Sequence, residues 1–201
     1  MRRVALIVLL SIATAAAADK DNARFAPKPA STYPGHQTIS NITIAAVPYT
    51  SEEQAKSAFD KKNPYKYGIL PILVVIKNDT GKALRLNLQT ELVDVQNHRL
   101  EPMPPGDVVL FDGASNKNWN AIPKPLPIPL PSHKGGPLDT WEIEGRAFTA
   151  RLVPDGQSVF GFVYFNSALR PDSFLYVNGI ADAASGKDYF SFEVPFEDRK
   201  P

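Results

Sequence analysis

Cysteine is absent from the 201 residues. Its absence excludes disulfides, thiolate metal sites, cysteine nucleophiles and a lipid-modified cysteine behind a leader. Histidine is nearly as scarce. His36, His98 and His133 stand far apart, each in a segment that reads as turn or loop, and no pair has the spacing of metal ligands. An excess of one charge is also missing. Lys and Arg number 22 against 21 Asp and Glu, so nothing in the balance attracts nucleic acid or an anionic membrane. Phosphate-cradling glycine loops, calcium loops and basic–aromatic patches do not occur.

Chemistry is equally hard to place. Gly156-Gln157-Ser158-Val159-Phe160-Gly161 approaches a nucleophile elbow. Its second glycine comes one place late, however, and it leads into a strand where the elbow feeds a helix. Carboxylates cluster at Asp139, Glu142 and Glu144, and again at Glu101, Asp107 and Asp112. Glycoside hydrolysis requires two acids held across a sugar, one with its pKa raised by burial. No spacing selects such a pair, and solvated acids on strand edges are the expectation. The sequence therefore predicts no catalytic residue, no metal and no cofactor; an unrecognised hydrolase ranks last among the readings.

The first residues decide the expected compartment. Met1-Arg2-Arg3 is a basic start, Val4 to Ile12 is largely apolar, and Ala15 to Ala18 suits signal peptidase. That is a secretory leader over 1–18, too short to span a membrane stably. Its removal takes Arg2 and Arg3, leaving 20 basic residues against 21 acidic, a formal charge of −1. The expected product is secreted or periplasmic, with no membrane span in the mature chain.

Prolines number 19, and nine of them fall within 102–137. Residues 19–36 mix proline, alanine and charge without an apolar period, an extended N-terminal arm that Phe25 and Tyr33 could pin but that reads as loose. A single β-sandwich domain is predicted over 37–197, with 102–140 a Pro-rich insertion. One half-buried strand is expected over 38–47. A capping box led by Thr50 then opens a short helix ending before Asn63-Pro64.

Gly68 to Gly81 holds the most apolar run outside the leader and stops at Asn78-Asp79-Thr80-Gly81, a strand buried on both faces. Leu84, Leu86 and Leu88 return with one wet face, Leu92, Val93 and Val95 continue the sheet, and Gln96-Asn97-His98 turns it. Asp107 is placed to cap a short helix, and Trp141 to Leu152 reads as one or two strands. Ser158 to Phe165 reads as a second interior strand, expected back to back with the first. Phe174 to Val177 follows, Asp182 to Lys187 turns, and the even positions from Phe190 to Phe196 form an inward face. The fold class is all-β: an antiparallel immunoglobulin-like β-sandwich of seven or eight strands with one or two short helices.

Within the insertion, Pro123 to Pro131 places proline at every odd position. In a strand this strips donors from one edge only, which suits a covering arm and departs from PxxP spacing. Trp119, flanked by Asn116, Asn118 and Asn120, joins an apolar plate to amide donors and acceptors. It would suit a partner protein's loop or a sugar ring, or else seal the sandwich end beside Trp141.

Val47-Pro48-Tyr49, the helix with Phe59, Gly68-Ile69-Leu70-Pro71 leading into Ile76-Lys77-Asn78, and Gly161-Phe162-Val163-Tyr164-Phe165 together make the chain resemble an uncharacterised exported bacterial protein family. The resemblance covers roughly residues 40–195. A fainter similarity is to the sandwich domains of late-embryogenesis-abundant proteins. The resemblance implies an immunoglobulin-like sandwich, with no activity or site residue to carry over. The functional expectation is a non-catalytic module binding an envelope or extracellular protein, with a glycan-binding module using Trp119 as the alternative.

Overall fold

The computed structural model describes residues 25–60, 62–111, 137–138 and 140–197. The leader, the first residues of the arm, the alternating prolines, His133, and Trp119 with Asn116, Asn118 and Asn120 lie outside the described residues.

The run that dominates the sequence becomes β3, Ile69–Asn78, in which every residue but Lys77 is buried. Side chains alternate across a strand, and here the two sets enter different cores. Leu70, Ile72, Val74 and Ile76 join one cluster, and Ile69, Leu73 and Val75 join another. A strand covered on both faces needs no polar side, which is why the run is unbroken.

Around β3 lie β1 (His36–Ile39), β2 (Ile42–Pro48) and β7 (Ser158–Asn166), in the order β1-β2-β3-β7. A second sheet contains β4 (Leu84–Val93), β5 (Arg99–Leu100), β6 (Leu152–Val153), β8 (Phe174–Asp182) and β9 (Phe192–Pro195). Its order is β5-β4-β8-β9, with β6 also on β4. Every strand pairing is antiparallel. The inner core, including Ile44, Ile72, Leu86, Val177 and Phe192, fills the space between the sheets. The molecule is thus mostly β, two antiparallel sheets face to face.

A third layer covers the outer face of the first sheet. It comprises α1 (Glu52–Phe59), α2 (Pro105–Val109), α3 (Trp141–Gly145) and the arm around a 3-10 turn at Ala30–Thr32. Ala30, Ala58, Phe59, Val108 and Ile143 bury against Ala45, Leu73, Phe162 and Tyr164. The Tyr164 hydroxyl donates to the Ile143 carbonyl at 2.8 Å, tying α3 to β7. Burial pushes that hydroxyl far above its ordinary pKa, as it must for a phenol in an apolar layer.

Several expectations are corrected here. The two apolar strands are not back to back: β3 and β7 pair side by side in one sheet. β7 ends that sheet's strand order, and its outer rim is closed by backbone, Phe148 N–H to Phe162 O at 2.9 Å and Met103 N–H to Tyr164 O at 2.7 Å. The strand expected over 38–47 is a hairpin instead. Ser40 and Asn41 at φ 50° and 62° reverse the chain, a conformation asparagine tolerates. Consequently His36 begins a strand, its Nδ1 2.6 Å from the Tyr33 carbonyl, rather than sitting in a loop.

Further corrections concern the third layer. The arm from Phe25 onward is held down. Phe25 packs on Tyr49 and Phe162, and the Tyr33 hydroxyl accepts from the Lys28 N–H at 2.9 Å. The cap of α1 is Ser51 with Gln54, one residue beyond the Thr50 pair. Asp107 sits inside α2, whose N-cap is Pro104. Trp141 to Gly145 is helical, so Glu142 and Glu144 stand on α3 rather than on strand edges. Phe190 lies two residues ahead of β9 and is 77% exposed. Five residues are too few for periodicity to declare a helix, so these short segments are decided by the sheet they cover.

Two buried polar residues fasten the loops. Asn78, fully buried, donates to the carbonyls of Lys82 at 2.7 Å and Val153 at 3.0 Å and accepts from the Thr80 N–H at 3.1 Å. Asp182 accepts from the N–H groups of Ser185 at 2.8 Å and Ala184 at 2.9 Å, and from Lys82 Nζ at 3.0 Å. The Ser185 N–H foremost, then Lys82, holds its carboxyl well below the usual range. A carboxyl so depressed stabilises the fold above its unfolded value near pH 3.9, and that stabilisation is lost as pH falls through the folded value. Asp182→Asn is therefore expected to be less stable than the parent at pH 7, the gap closing below about pH 4. Urea midpoints at pH 7 and pH 3 test this; a gap of equal size at both would refute it.

Candidate functional site

The aromatic residues of β7 have a reason to be where they are. Phe160, Phe162 and Tyr164 share one face by the two-residue period, and that face meets the third layer. Phe162 lies at the centre of a ring cluster, with centroids 4.7 Å from Phe59, 5.0 Å from Tyr49 and 5.5 Å from Phe25. Burial pushes the Tyr49 hydroxyl up to about 12. Toward solvent the cluster continues rather than ending. Phe160, 43% exposed, stands 6.0 Å from Phe25.

Arg146, which follows α3, carries the row on. Its guanidinium carbon is 5.2 Å from the Phe25 ring and 5.6 Å from the Trp141 ring, between the two. It also donates to the carbonyls of Ala58 and Ser57 at the end of α1, where a cation complements the helix dipole. Trp141 lies over Gly145, where a Cβ would come 2.9 Å from the indole, and remains 68% exposed. Phe160, Phe25, Arg146 and Trp141 thus form a continuous aromatic–cation row along the surface.

Beside Phe160 a groove of about 550 Å³ runs between the arm at 26–31 and the first sheet, flanked by Lys28 and Lys77. Leu110, 55% exposed, ends α2, which packs against α3. The row, the groove and this helix pair occupy the same layer. Flat rings held beside a fixed guanidinium are the side chains that dominate protein interfaces.

The residues singled out in the sequence lie only partly within the described residues. Trp119 and its asparagines lie outside the described residues, as do Asp112 and Asp139. Glu142 accepts from the Thr140 hydroxyl at the start of α3, and α2, which carries Asp107, packs against α3, where Glu144 Oε1 lies 3.7 Å from the position a Cβ would take at Gly106. Among the described residues no group of three or more His, Asp or Glu could hold a metal ion. No helix of these residues is long and apolar enough to cross a membrane. Arg146 and Phe160 were missed in the sequence, and Phe25 was read there only as a residue that could pin the arm. A signal existed in the even-numbered rings of 160–164, which predicts a covered outer face, but nothing local pairs Arg146 with Phe25 across more than a hundred residues.

Comparison with known proteins adds little. No family model and no curated protein matches the chain. A crystal structure from Bordetella pertussis, solved under the provisional name ApaA, aligns at 10% identity over 84% of this chain and 99% of its own, with a TM-score of 0.35. At that score the likeness carries neither fold nor function.

Proposed function

We propose that the chain is an exported, non-catalytic sandwich of immunoglobulin-like type that binds another protein of the envelope or extracellular space. The strand order supports the fold reading. β2-β3-β7 against β5-β4-β8-β9 has the sequence of an A-B-E sheet facing C′-C-F-G, with β6 as the strand between C′ and E. The basic, apolar, small-residue leader supports export. Membership in the exported bacterial family named above is part of the same proposal and rests on the quoted residues.

The observation that carries the binding reading is the row Phe160–Phe25–Arg146–Trp141. Its two ends are exposed while its middle is packed, so partner-facing rings are held in place before contact. Rigid aromatic anchors lose little entropy on binding, which favours this surface over the exposed but isolated Leu152 or Val95.

The test is capture from the native envelope by the tagged full chain, comparing the parent with Trp141→Ala/Phe160→Ser and with Leu152→Ala as the control. The double variant is expected to weaken a captured interaction by roughly thirty-fold, the scale of a lost hot spot, and the control to leave it unchanged. Equal loss in the control, or full retention in the double variant, would remove the row from the interface.

A further inference from the structure

We draw no further inference here: the strongest candidate, the groove of about 550 Å³ between the arm at 26–31 and the outer face of the first sheet beside Phe160, adjoins the site already described, and nothing in the structure shows what covers it.

Discussion

Asn78→Leu is expected to destabilise the protein by about 3–5 kcal/mol, since each buried polar group left unpaired costs about 1–3 kcal/mol. Leucine shares the branching of asparagine but is the larger side chain, so overpacking of a fully buried site adds to the lost hydrogen bonding. The substitution takes a donor from the carbonyls of Val153 and Lys82, the latter keeping the Thr80 hydroxyl at 3.1 Å, and the acceptor from the N–H of Thr80. The bond to Val153 crosses from β3 in one sheet to β6 in the other, so the damage spreads beyond one turn. The neighbouring backbone depends on the same residue: the Asn78 N–H donates to Gln157 O at 3.0 Å, and its carbonyl accepts from Gly156 at 2.8 Å. With a urea slope of about 2 kcal/mol/M, the midpoint should fall by about 2 M. A midpoint within 0.3 M of the parent, on the order of measurement error, would show that Asn78 is replaceable.

Gly161→Val is expected to cost about 3 kcal/mol, the upper end of overpacking, and to open the rim of β7. A Cβ at 161 would meet the Phe148 backbone, its nitrogen at 2.7 Å, with the Ala147 carbonyl carbon at 3.0 Å. Both obstacles are main chain, so no rotamer relieves them. The crossing segment must leave, breaking Phe148 N–H to Phe162 O at 2.9 Å and Phe162 N–H to Arg146 O at 2.8 Å. Departure of 146–148 also pulls Arg146 from between Phe25 and Trp141, so the variant should lose partner capture along with stability. An unpaired strand edge invites association; size-exclusion chromatography should show oligomers absent from the parent. Hydrogen exchange at Phe148 and Phe162 gives the direct readout. Protection equal to the parent's would mean the segment had stayed in place.

These two residues show how much a local pattern discloses. Asn78 was legible as turn chemistry because Asn-Asp-Thr-Gly follows an apolar run, and the turn is there. That its side chain reaches Val153, seventy-five positions on, has no local signature. Gly161 stood unexplained in a segment read as an interior strand, and only the passing Phe148 backbone gives the glycine a reason. The candidate row divides in the same way. The alternating rings of β7 announce a covered face, whereas Arg146 and Trp141 belong to a segment whose strand-like composition was overruled by its position on that face.

Composition and order alone established that the regular structure is mostly antiparallel strand, that Ile69–Asn78 is buried on both sides, and which residues reverse the chain at 78–81 and 182–187. Side-chain period and turn chemistry act over a few residues, so a linear text records them. Tertiary structure decided that β3 and β7 lie side by side, that a helical layer and the arm cover their outer face, and that an arginine stands between two rings there. Those outcomes depend on which apolar faces remain to be buried once the sheets have paired, a condition set by the whole chain at once.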